Sequence, residues 1–97
     1  MFMGYQKHSL FTKIINPFNP STTIRYDLPE ASSVSLIIYD MMGREVATLI
    51  SGQVDAGYHL MQWDGTNSIG SSVSAGVYIY TIQAGKHRDV NKMIYLK

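Results

Sequence analysis

Few side chains in this sequence are of the kind that do chemistry, and their spacing works against them. His8, His59 and His87 follow none of the intervals that bring imidazoles onto one metal ion. Asp64 and Asn67 flank Gly65 and supply one carboxylate and one amide, whereas calcium takes about six or more oxygens. A sharp turn closed by Asp64 and Gly65 is the better reading. Serines are plentiful, but none lies in a nucleophile-elbow sequence, and no nucleophile, base and orienting acid announce themselves. The absence of cysteine excludes thiol chemistry, disulfides and Cys-bound zinc. Tyr26, Tyr39, Tyr58, Tyr78, Tyr80 and Tyr95 would suit a sugar-stacking face, although rings in a small β-protein more often pack in the core or along strands. The expectation is recognition without catalysis: no catalytic residue, no metal and no cofactor.

Charge narrows the partners. Lys7, Lys13, Arg25, Arg44, Lys86, Arg88, Lys92 and Lys97 form no run, and the formal net charge is +1. A nucleic acid, which is gripped by clustered cations, is not an expected partner. Hydrophobic residues at 45% and charged residues at 15% describe a folded chain rather than a disordered one. At 97 residues it is one domain, near the small end of what buries its own core. No apolar run reaches the roughly 20 residues of a membrane helix, so membrane insertion is not expected. The opening MFMGYQKHSLF lacks the basic head and apolar core of a signal peptide. Export, if it occurs, would then need a signal supplied upstream.

The elements that position these residues read as strands. Val34 to Ile50 is the clearest stretch: Val34, Leu36 and Ile38 fall on one face of a strand, Ile37 and Tyr39 on the other. Asp40-Met41-Met42-Gly43 is a turn, with Asp at its first position to cap backbone N–H groups and Gly at its last, where φ is often positive. Val46, Ala47, Leu49 and Ile50 return, and Ser51 to Gly57 reads as a turn-rich link. Ile24, Tyr26 and Leu28 alternate with Thr23, Arg25 and Asp27 in a half-buried strand. Tyr58 to Trp63 and Val77 to Ile82 are further strands, the latter apolar on both faces and so central. The last strand runs from Arg88 or Asp89 to Leu96, and Leu10 to Ile15 suggests a short first one. Asn16-Pro17 and Pro20 punctuate the chain, and Gly76 serves a turn. The expected core is Ile24, Tyr26, Leu36, Ile38, Trp63, Val77 and Ile79. No segment keeps a helical period, and turn signals recur every 8–12 residues or so. The pattern predicts an all-β, immunoglobulin-like antiparallel β-sandwich of about seven strands.

Five segments in order carry a resemblance. They are Asn16-Pro17-Phe18-Asn19-Pro20-Ser21-Thr22-Thr23-Ile24 with Tyr26 and Leu28-Pro29; Tyr39-Asp40 with Gly43-Arg44-Glu45-Val46; Trp63-Asp64-Gly65 with Asn67 and Gly70; Ala75-Gly76-Val77-Tyr78; and Lys92-Met93 with Leu96-Lys97. Together they resemble the type A C-terminal sorting domain of cargo for the type IX secretion system, and also the Ig-like domain of the flagellar hook-capping protein. The likeness covers 16–97. Residues 1–15 form a poorly defined N-terminal segment in which Ile14-Ile15 replaces the family's Tyr-Pro pair. That departure suggests a truncated gene, an orphan domain, or a start site placed inside a longer protein. The resemblance implies a non-catalytic module that sends an exported cargo through the outer-membrane translocon, and often its removal by a sortase-like peptidase. It implies passage through the periplasm to the cell surface, with the chain acting as a monomer. The alternatives are a structural Ig-like module of an extracellular or flagellar assembly, and a carbohydrate-binding sandwich. Gly43, Arg44, Lys92, Met93, Leu96 and Lys97 are the candidate recognition residues, the last four because a terminal edge strand is open to a partner.

Overall fold

The computed structural model describes residues 11–16 and 21–95, the first segment by its backbone and Thr12. Pro17, Leu96 and Lys97, expected above at a turn and at a recognition element, lie outside the described residues, as does the side chain of Asn16. The strands are β1 (Phe11–Asn16), β2 (Thr22–Leu28), β3 (Ser32–Asp40), β4 (Glu45–Val54), β5 (Gly57–Trp63), β6 (Gly76–Ala84) and β7 (His87–Tyr95). All pair antiparallel, in two sheets ordered β1-β2-β5 and β4-β3-β6-β7. This is the antiparallel β-sandwich that the alternation predicts.

Side chains that alternate along each strand meet between the sheets. Ile24, Tyr26 and Leu28 of β2 face Val34, Leu36 and Ile38 of β3, with Trp63, Ala47, Met93 and Tyr95 completing the layer. Burying an aliphatic or aromatic side chain of this size contributes about 1.5–3 kcal/mol, which is what orders so short a chain.

The central strand β6 corrects one expectation. Its buried residues are Tyr78, Tyr80, Ile82 and Ala84, while Val77 and Ile79 sit half-buried on the outer face. A strand apolar on both faces has no period to say which face is inner. Here the register decides it. Tyr80 pairs with Ile38 and Tyr78 with Met93, all on the inner layer, and the tyrosine hydroxyls find acceptors in Ser74 and Thr12. Val77 and Ile79 instead lie beside Ile94, Lys92 and Tyr39.

β4 also runs past its expected end. Ser51, Gly52 and Gln53 pair with Ser35, Val34 and Ser33, so the polar link is ladder. Backbone hydrogen bonding to β3 overrides the weak strand propensity of Ser and Gly.

A polar seam joins the two sheets along one side. The Thr12 hydroxyl of β1 donates to the Asp89 carboxylate of β7 and accepts from the Tyr80 hydroxyl at 3.0 Å and the Asn91 amide at 2.9 Å. Asn91 also reaches Tyr80 at 3.1 Å and Asp89 at 3.3 Å. β1 is thus paired into the first sheet and tied across to the second.

Candidate functional site

One end of the sandwich gathers segments that lie far apart in the chain. The β3–β4 turn, the loop from Asp64 to Ala75, the start of β6 and the end of β7 meet there. Asp40 pairs with Tyr78, Gly76 with Tyr95, and the Ser68 N–H donates to the Val46 carbonyl at 3.0 Å.

The turn is held by one carboxylate. Asp40 Oδ1 accepts the Met42 and Arg44 N–H groups, each at 2.9 Å, and Oδ2 takes Arg44 Nε at 3.0 Å. The Gly43 N–H returns to the Asp40 carbonyl at 3.0 Å with φ at 82°, so Gly43 fills the left-handed position of a three-residue hairpin loop. The backbone N–H of Arg44, more than any other contact, pulls the Asp40 carboxyl below its ordinary range, and the guanidinium adds to it. The turn therefore presents Met41, Met42 and the outer nitrogens of Arg44 to solvent on a rigid frame, with Met42 79% exposed.

Beneath the second loop sits an aromatic trio. Trp63 is buried, edge-on to Tyr78 at 5.1 Å and tilted against Tyr95 at 5.3 Å. Its indole N–H donates to the Thr66 carbonyl at 2.9 Å. Gly65 lies so close to Tyr95 that an added Cβ would stand 2.1 Å from the ring. Asp64 Oδ1 accepts the Thr66 hydroxyl at 2.6 Å, and Asn67 Oδ1 accepts the N–H groups of Ile69 and Ser71. Asp64 Oδ1 and Asn67 Oδ1 thus close the two turns of this loop. Among the described residues no three His, Asp or Glu side chains are grouped to hold a metal.

The candidate recognition residues separate. Gly43 and Arg44 lie at the exposed turn, and Lys92 points outward from β7. Arg44 and Lys92 stand at opposite edges of the four-stranded sheet, roughly 14 Å apart by strand spacing. Met93 does not join them. It is 3% exposed and packed in the core, because alternation along β7 turns Met93 and Tyr95 inward and Lys92 and Ile94 outward. Gly65, Tyr78 and Tyr95 matter more than their sequence suggests. Gly65 reads as an ordinary turn glycine, and its tight packing arises only when β7 returns beside it. A sugar platform finds little support. Tyr58 is the one widely exposed ring among the described residues, and Arg25 covers one face of it at 4.6 Å.

Comparisons with known proteins agree with this architecture. The sequence profile of the FlgD Ig-like domain matches residues 15–88. No curated protein matches the sequence. Dimeric latent PorU from Porphyromonas gingivalis is similar over 90% of this chain and 9% of its own, with a TM-score of 0.69 at 22% identity. FlgD from P. aeruginosa is similar over 86% of this chain and 63% of its own, with a TM-score of 0.62 at 25% identity. This chain therefore spans less than two-thirds of either structure.

Proposed function

Because the chain belongs to the FlgD Ig-like domain family, we propose that it is a non-catalytic sorting module, which delivers an exported cargo through the type IX outer-membrane translocon to the cell surface. The observation that carries this reading is the convergence of the motif segments. Tyr39-Asp40 with Gly43-Arg44, Trp63-Asp64-Gly65, Gly76-Val77-Tyr78 and Lys92-Met93 are scattered in sequence, yet all build one end of the sandwich. Within that end the residues divide by role. Asp40, Gly43, Asp64, Gly65 and Gly76 shape it, Trp63, Met93 and Tyr95 fill it, and Arg44 and Lys92 remain for a partner to read. Leu96 and Lys97 follow β7 in the sequence and belong to the same proposed recognition element. The translocon would grip this end and the strand edge beside it, after which a sortase-like peptidase would remove the module.

The test is a fusion of the full chain behind a periplasmic reporter in a type IX host. Surface delivery is expected, with loss of delivery on the double change Arg44→Ala, Lys92→Ala, which alters two exposed side chains and leaves the core in place. A reporter that stays in the periplasm would refute sorting. That result would favour a second reading, a structural Ig-like module of an envelope or flagellar assembly, which rests on the likeness to FlgD.

A further inference from the structure

An open sandwich ends in strands whose outer N–H and C=O groups lack ladder partners, and folded proteins guard such edges with charges, bulges or prolines. Four strands lie at edges here, β1 and β5 in one sheet and β4 and β7 in the other. Three of them are guarded. β4 shifts register against β3 twice, beside Leu36 and beside Ile38, and begins with Glu45. β7 carries Arg88, Asp89 and Lys92. β1 shifts register between Ile14 and Asn16, and Thr12 fastens it to β7.

Among the described residues β5 has none of these devices. Its sequence GYHLMQW contains no charged residue and no proline. It runs against β2 from Gly57 to Trp63 without a break in register. Tyr58 and Leu60 project from it, 77% and 65% exposed. Next to them on β2, Arg25 and Asp27 neutralise each other at 3.1 Å. Among the described residues an approaching strand therefore meets no bulge to turn it aside and no charge between Gly57 and Trp63, the exposed Asp55 and Asp64 standing only at the two ends of the strand.

We propose that the free edge of β5 pairs antiparallel with β5 of a second copy of this chain, about a two-fold axis through Leu60. The axis sets Leu60 opposite Leu60 of the copy, Tyr58 opposite Gln62, and His59 opposite Met61. A partner recognised by charge finds nothing to hold on this strand, whereas a copy offers an equally neutral, unbulged strand of the same length. The contact is the same patch on both sides, so it closes at two chains. The two three-stranded sheets become one of six strands, β1-β2-β5-β5-β2-β1. This inference stands apart from the sorting role and does not need it.

Equilibrium sedimentation of the 97-residue chain tests it, over about 10 μM to about 1 mM, the range suited to an interface of less than standard size. The average mass is expected to rise from 10.9 kDa toward twice that value and to stop there. Amide exchange from Tyr58 to Gln62 should slow as concentration rises. Leu60→Lys places a charge opposite its own image, and Tyr58→Lys places one opposite Gln62 on the pairing face, so each should weaken pairing about tenfold or more, with the urea midpoint of Leu60→Lys unchanged at the lowest concentration. Val90→Lys, on the guarded β7 edge, should leave pairing intact. Tyr58→Lys decides the matter if Leu60→Lys does not fold. A single-chain mass at the highest concentration, pairing indifferent to both β5 changes, pairing lost in Val90→Lys, or growth beyond two chains would each overturn the proposal.

Discussion

At the scale of single residues, Gly65 is the position with least freedom. Its φ of 76° is left-handed, and the Tyr95 ring occupies the place where a Cβ would go. Gly65→Ala therefore meets backbone strain and overpacking together, and the expected loss is about 2–5 kcal/mol in urea unfolding. Gly43 shares the left-handed backbone but has open space around it. Gly43→Ala should cost only the backbone strain, about 1–2 kcal/mol. Equal losses at the two sites would mean that the Tyr95 contact is not what constrains Gly65. Met93 and Lys92 make a second contrast. Met93→Ala should cost about 2–5 kcal/mol as a core truncation, while Lys92→Ala should stay within about 0.5 kcal/mol. Residue-level burial was legible where one face of a strand is polar, as at Ile24 and Tyr26, whose strand alternates with Thr23, Arg25 and Asp27. It was not legible at Val77 and Ile79, because β6 offers two apolar faces and only the pairing with β3 and β7 selects between them.

At the scale of elements, the β3–β4 hairpin and the β1–β7 seam show what local sequence can and cannot disclose. The hairpin was plain in sequence: Asp40 and Gly43 suit the turn by type alone. The seam was not, because Thr12 and Asn91 meet only after both sheets have formed. The turn makes stability depend on acid. The Asp40 carboxyl is held below its ordinary value of 3.8, chiefly by the Arg44 N–H. Its contribution is therefore fully present above that value and is lost as pH falls through the lower folded value. Asp40→Asn keeps a side-chain acceptor but no charge. The gap in urea midpoint between the two proteins should be constant near neutrality and close below about pH 4. A gap that persists in acid would show that the charge is not what holds the turn. In the seam, Thr12→Val removes a hydroxyl that serves Asp89, Tyr80 and Asn91 together. A loss of about 1–3 kcal/mol is expected from the stranded partners. A double-mutant cycle with Asn91→Ala should show coupling between the two positions, as members of one network do.

At the scale of the whole molecule, the two sheets enclose a core that uses tyrosine where many sandwiches use aliphatic residues, and this sets an alkaline limit. Tyr26, Tyr78 and Tyr80 are all buried, and loss of hydration is the main reason each phenol is held above its ordinary value of 10.0. The Asp40 carboxylate and the Tyr95 phenol push Tyr78 further in the same direction. At Tyr80 the bonds with Thr12 and Asn91 partly offset the burial. A phenol whose folded value is raised binds its proton more tightly in the folded state. Its contribution to stability is thus complete below the unfolded value and is lost as pH rises through the folded one. All three groups act in the same window, and they sit on both sheets, so alkali acts on the sandwich as a unit. Phenolate absorbance should rise cooperatively above about pH 10, in step with the loss of β-sheet ellipticity. Tyr78→Phe keeps the ring against Trp63 and removes one ionisable phenol, so stability should fall less steeply with pH in that window, by about one proton. The hydrogen bond to Ser74 is lost as well, which lowers the neutral-pH baseline by about 0.5–1.5 kcal/mol without altering the slope. An unchanged slope, or buried phenols that titrate before the sheets melt, would show that the core admits water near Tyr78 while still folded.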